Sequence, residues 1–278
     1  MRIGFMSGGS SISETGFPEK MSIFIRLAAA GDPERRIDRV TLGVFTVMVE
    51  AGKRTGLSSC FRDPPGIAEM DIPDAGNLTG KPLRALTGLY HGSGLLRHSL
   101  ALAALNASLE PPPGNALVLL QGQDFLQRVT GDGHLVVVGH FPFVRPLSGR
   151  VGRLTVIQEP PHLGDRGVAS ARTVFPEADV IVITASALIN HTMDDLLAAA
   201  GSAYVVVLGA TTPMHSLMFE YGVDALCGAR PVHPGRLLQG ITQGASFRHL
   251  QGFERVTWFR NPRDRVFSEP VNEPSGAV

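Results

Sequence analysis

Five apolar runs in the second half of the chain constrain its fold more than any other feature. They are "HLVVVGH" (134–140), "RLTVIQE" (153–159), "ADVIVITAS" (178–186), "AYVVVLGAT" (203–211) and the shorter "VDALCGA" (223–229). A strand with one wet face alternates apolar and polar residues. These runs scarcely alternate, as strands do when helices cover both faces of a parallel sheet. Helical spacing recurs between and after them, at 192–201, 212–222 and 233–244. The pattern predicts a doubly wound sheet, in which ligands sit beyond the C-terminal ends of the strands.

The first half reads differently. "MSIFIRLAAA" (21–30) predicts a short helix, and "RVTLGVFTVMVEA" (39–51) predicts a strand. Gly52-Lys53 is a turn signal, with "RTGLSSCFR" (54–62) as the hairpin partner. Residues 63–80 are rich in Pro and Gly and read as irregular. Two helices follow, at 81–93 and 94–109; in the second, Leu96, Leu100, Ala103 and Ala104 share one face. "EPPPGN" (110–115) ends it, because proline cannot continue a helix. Strands followed by helices make an α+β unit. The expected division is an extension at 1–20, an α+β domain at 21–114, a parallel-sheet domain at 115–250 and a C-terminal tail at 251–278. Arg260, Arg263 and Arg265 fall in that tail and read as solvated.

Composition excludes some partners. Of 278 residues, 44% are hydrophobic, enough for a sizeable core, and 25 basic residues balance 25 acidic ones. A nucleic-acid or acidic-membrane surface would need a basic excess, so neither partner is expected. The two cysteines, Cys60 and Cys227, are too far apart for a paired zinc motif and too few for a disulfide framework. No apolar run reaches membrane length and no ordered signal peptide is visible, so a cytoplasmic location is expected. The apolar helices of the first half supply a surface on which a homodimer is expected.

The predicted strand ends carry the candidate chemistry. The first runs into Gly139-His140-Phe141-Pro142, where a dinucleotide site would need glycines to let backbone amides approach a pyrophosphate. Phe141 adds bulk and Pro142 removes a donor, so NAD is not expected. Glu159 stands about 20 residues past the glycine, where a ribose-binding acid sits in nucleotide-binding sheets. His140, Glu159, His162 and Asp165 are ligand types for divalent transition metals, although no spacing forces them onto one face. Thr184, Asn190 and Thr192 follow the third strand, and Thr192 precedes "MDDLL" as an N-cap would. Thr212-Pro213 reads as an N-cap with proline at the first helical position. Two such helix starts above one crevice would suit an anionic group. Cys60 is a candidate soft ligand or nucleophile, whereas Cys227 reads as core.

Several of these segments resemble a known family. "VVVGHFPFV", "TASALINHTMDDLL" and "GATTPMHSLMFEYGVDALCGARPV" resemble the C-terminal domain of the "putative heavy-metal chelation" proteins. "VTLGVFTVMV", "TGLSSCFR", "GKPLRALTGLY" and "ALAALNASL" are similar to the domain that accompanies it. The resemblance implies an enolase-N-terminal-like α+β domain joined to a Rossmann-like α/β domain, with a site in the cleft between them. It implies a role in binding a heavy or transition metal, or a small molecule that chelates one. Matched by position, Gly139, His140, Phe141, Pro142, Glu159, Gly164, Asp165, Thr184, Asn190, Thr192, Thr212 and Pro213 follow the family, with Asn106 from the first domain. The resemblance assigns His140, Phe141, Pro142, Thr184, Asn190, Thr192, Thr212 and Asn106 to the ligand. It assigns Glu159, Asp165 and His140 to the metal. The family tends to have glycine where Ala185 and His191 stand, and proline with serine where Ala210 and Thr211 stand. The alternative is an enzyme acting on a small carboxylate or a nucleoside-type ligand, such as an adenosyl-like cofactor, with Glu159 or His140 as general base.

Overall fold

The computed structural model describes residues 21–63, 72–120, 122–139, 141–158 and 166–268. The expected extension at 1–20 lies outside them. The first helix, α1, spans Ile23–Ala30 and buries Ile23, Phe24 and Leu27. An antiparallel sheet follows, built from β1 (Arg39–Leu42), β2 (Thr46–Ala51) and β3 (Arg54–Ser59) in that order. The single strand expected over 39–51 is therefore two strands with a turn between them. The amide of Gly43 donates to the carbonyl of Thr46 at 2.9 Å, and a Cβ at Gly43 would lie 2.6 Å from the Ile241 side chain. Gly52 turns β2 into β3 with φ of 60°, as its turn signal predicted.

The expected helix over 81–93 shrinks to α2 (Arg84–Thr87) followed by one tighter turn to His91. The next helix, α3 (Leu95–Ser108), forms where the spacing predicted it and is apolar nearly all round. That composition is the mark of a helix buried on every side. Leu100, Ala103, Ala104 and Ala107 pack on Val47, Val49 and Ala51 of the small sheet. Ala101, Leu102 and Leu105 pack into the core of the larger sheet. Contact with β3 is close enough that a Cβ at Gly56 would sit 2.0 Å from the Ala103 carbonyl oxygen.

The larger unit runs β4 (Leu117–Leu119), α4 (Gly122–Thr130), β5 (His134–Val138), α5 (Val144–Leu147), β6 (Arg153–Ile157) and α6 (Ala171–Val174). It continues β7 (Val180–Thr184), α7 (Met193–Ala199), β8 (Tyr204–Leu208), α8 (Leu217–Glu220), β9 (Ala225–Pro231), α9 (Pro234–Thr242) and β10 (Phe253–Phe259). The sheet order is β4–β10–β9–β8–β7–β5–β6. Strands β5 to β9 are parallel, and β10 runs antiparallel to both β9 and β4. The protein is thus a mixed α/β structure, a mostly parallel seven-stranded sheet with a small antiparallel sheet beside it.

Successive strand residues point to opposite faces. Val136, Ile181, Val205 and Leu226 face the layer that contains α1, α3 and α7. Leu135, Val182, Val206 and Cys227 face the layer of Phe125 on α4 and Leu147 on α5. Residues 253–259, expected in a tail, are the strand β10. Arg260 is exposed, as expected, and pairs with Asp224 there. The small sheet's second face, Met48 and Leu57, packs on Leu237 and Ile241 of α9. The small sheet therefore lies between α3 and α9. Among the described residues, no helix is long and apolar enough to cross a membrane.

Candidate functional site

Helix α3 joins the small sheet to the loops that leave β7 and β8. Near its start, the His98 ring nitrogens lie 2.9 Å from the Ile189 carbonyl oxygen and 2.8 Å from that of Gly92. Near its end, Asn106 Nδ2 donates to the carbonyls of Leu57 at 2.9 Å and Thr211 at 3.0 Å. Eight residues of helix separate these two contacts by about 12 Å. Two carbonyl acceptors fix the amide's orientation, because its oxygen could not face them. Asn106 Oδ1 is shielded from solvent and has no hydrogen-bond partner among the described residues. Thr211 completes the seam, its Oγ1 accepting from the Ser59 amide at 2.9 Å.

A cavity of about 390 Å³ opens beside the Asn106 seam. Its walls come from the β2–β3 hairpin, the end of α3 with the proline linker, the loop after β8, and the end of β9. It therefore lies at the C-terminal side of β8 and β9, where sheets of this kind bind ligands. Met214 covers one wall and lies so close to Gly228 that a Cβ there would meet its sulfur at 2.5 Å. The charged groups on the wall are Lys53, Arg54, Arg230 and Glu110. Glu110 is shared between Arg54 and Arg35, and Arg230 pairs with Glu254 on the neighbouring strand.

Of the residues predicted to bind ligand, Asn106 and Thr212 line this cavity. Thr212 is buried and its Oγ1 donates to the Cys227 carbonyl at 3.0 Å. It does not cap a helix as expected, because α8 begins only at Leu217. Thr184 accepts from the Ser186 amide at 3.3 Å and sits against Gly139, where a Cβ would lie 2.9 Å from its methyl group. Gly139 adopts φ of 104°, so the strand end there is glycine for two reasons. Phe141 packs with the α4 and α5 layer and stacks on Phe143 at 5.0 Å between ring centroids. It belongs to the face opposite α3. Pro142 is exposed.

Asn190 and Thr192 bond to each other, Thr192 Oγ1 donating to Asn190 Oδ1 at 2.8 Å. Thr192 makes no side-chain cap to α7. Between them His191 takes φ of 61°, the conformation that glycine would adopt freely. Partial burial lowers the His191 pKa, the His98 ring lowers it further, and the Asp194 carboxylate opposes both. Asp194 itself accepts from the Ile23 amide at 3.0 Å and from Ser22 Oγ at 3.2 Å, so it caps α1. Cys227 is buried, its thiol pushed up to about 12 by burial, and it accepts from Thr257. Cys60 is partly buried beside the small sheet's core.

His140, Glu159, His162 and Asp165, the candidate metal ligands, lie outside the described residues. Among the described residues, no three His, Cys, Asp or Glu side chains gather closely enough to hold a metal ion. The cavity's own donor set does not fit a bare transition metal either. It offers one amide, two hydroxyls, one thioether and three cationic side chains against a single carboxylate. Sequence reasoning missed Lys53, Arg54 and Arg230. Arg230 was recoverable, since it directly follows the strand predicted at 223–229, at the edge where ligands gather.

The comparisons with known proteins agree with this architecture. Two family models match, DUF364 over residues 122–259 and DUF4213 over residues 25–109, both described as "putative heavy-metal chelation". A solved DUF364 protein of unknown function from Desulfitobacterium hafniense superposes with a TM-score of 0.74 at 22% identity, covering 86% of this chain and 98% of its own. A second, from Pyrococcus horikoshii, gives 0.67 at 17% identity, covering 85% and 96%. At such identities the likeness speaks for the fold. No curated protein matches the sequence. With one model on the small sheet and its helices and the other on the large sheet, the chain belongs to the DUF364/DUF4213 "putative heavy-metal chelation" family.

Proposed function

We propose that this protein binds a heavy or transition metal in chelated form, or the small molecule that chelates it, in the cleft between the small sheet and the C-terminal ends of β8 and β9. The observation that carries the reading is the cavity of about 390 Å³ beside Asn106, a size suited to a small organic ligand. The amide of Asn106 ties the two sheets together, which leaves its Oδ1 as an unpaired acceptor at the seam. An unpaired buried acceptor costs about 1–3 kcal/mol, so its retention favours a functional role. The candidate direct ligands to the metal, matched to the family by position, are Glu159, Asp165 and His140.

The test combines metal analysis with a thermal-shift screen. The purified protein is assayed for bound metal by mass spectrometry. It is then heated with nickel, zinc, copper and iron salts, with chelators, and with nucleotides and adenosyl compounds. A ligand present at a hundred times its Kd stabilises by about 2.7 kcal/mol. Stabilisation by a chelator or a metal–chelator mixture is the expected result. A melting point moved by nucleotides alone, with no bound metal, overturns the proposal in favour of a nucleotide-dependent enzyme.

A further inference from the structure

We infer that the cleft cavity recognises its ligand by negative charge, and that the ligand class is an organic polycarboxylate. This rests on the cleft being the binding site. It does not rest on metal being present. Lys53 and Arg54 reach the cavity from the β2–β3 hairpin, and Arg230 reaches it from the end of β9. Lys53 makes no ion pair among the described residues. Arg54 shares its carboxylate partner, Glu110, with Arg35, which also pairs with Asp32 at 3.5 Å. Arg230 is held by Glu254 on β10, which is not part of the cavity wall.

Among the described residues the wall thus carries three cationic side chains against one carboxylate, with Lys53 in no ion pair, around a space lined by apolar, amide and hydroxyl groups. A hydrated divalent cation entering it would be repelled and would find one carboxylate. A polycarboxylate would find up to three cationic partners, and two of them can grip a carboxylate with paired N–H donors. The family description points to a metal, and the described residues point to the organic anion that would carry it. Selectivity for the chelator, with the metal enclosed by it, reconciles the two. Phosphate shares the anionic oxygens, so it must be tested as a separate ligand.

The experiment is calorimetry on the full chain with four probes: nickel chloride, citrate, nickel–citrate and inorganic phosphate. It is repeated with Arg230→Gln and with Lys53→Gln. Both side chains stand at the rim, and the circular dichroism of each variant is checked against the parent. Citrate and nickel–citrate should bind, nickel chloride alone should not bind in this cavity, and each substitution should weaken binding about tenfold, the worth of one charged hydrogen bond. Binding should also weaken as salt rises. Three results would overturn the inference: no citrate binding, citrate binding indifferent to both substitutions, or phosphate binding in place of citrate. Tight binding of nickel chloride that ignores both substitutions, with no binding of citrate, would sink the inference and leave metal binding intact. Citrate binding that nickel does not alter would sustain the inference and weaken the metal reading.

Discussion

Gly56 shows how much a single missing Cβ decides. It lies in β3 where α3 crosses, and any Cβ would overlap the Ala103 carbonyl oxygen at 2.0 Å and the Ala107 nitrogen at 2.4 Å. Both are backbone atoms, so no rotamer change can relieve the clash. Gly56→Ala should destabilise by about 3 kcal/mol in urea denaturation, the upper end of the usual cost of overpacking, because the neighbours are rigid backbone. Gly88→Ala is the contrasting case, because it has helical φ of −61° and, among the described residues, nothing within 4 Å of the added carbon. That change should be neutral or stabilising by up to about 1 kcal/mol, through the unfolded chain's lost freedom. If both variants had the same midpoint, the close packing of α3 on β3 would be wrong. Gly139 and His191 belong to the same scale. The first explains why a strand end resembles a nucleotide turn without being one, its missing Cβ making room for Thr184.

At the scale of elements, α1 is held by a residue from the other end of the fold. Asp194, in the first turn of α7, accepts from the Ile23 amide and Ser22 hydroxyl. Asp194→Ala should therefore cost about 1 kcal/mol, as loss of a cap does, and should speed amide hydrogen exchange in Ile23–Leu27 more than in α7. Uniform exchange in α1 would contradict the capping role. The same scale explains what could be read in advance. Strands β5 to β9 were visible because their apolar residues serve two faces at once, and α3 because its apolar spacing is helical. The strand β10 was hidden, since "FERVTWF" mixes charged and apolar residues and comes after an irregular stretch. The helix expected from Thr212 was overstated because Thr212 spends its hydroxyl on the Cys227 carbonyl, and the chain turns into α8 only later. The cavity was half legible. Asn106 and Thr212 could be named from resemblance, but Lys53 and Arg54 come from the β2–β3 hairpin and Arg230 from β9, and they share no motif.

For the whole molecule, the boundary at the proline linker is a boundary in sequence and not in packing. Residues of α1 and α3 share one core with β5, β7 and β8, and the small sheet shares another with α9. Large apolar interfaces couple unfolding, so the protein should melt in a single cooperative transition. Fluorescence of Trp258, which lies on β10 against Phe219, should report the same urea midpoint as far-ultraviolet circular dichroism. Two separated midpoints would show that the halves fold independently.

Helix α3 gains an unusual duty from being clasped on both sides. Removing one residue from an ordinary surface helix rotates the remainder of that helix by about 100°, and part of its circumference still lands harmlessly in water. Between His98 and Asn106 there is no harmless side. The helix serves as a gauge block, its length setting the distance between two loops that neither sheet could set alone. Insertions in this family member are tolerable nearly anywhere sooner than there.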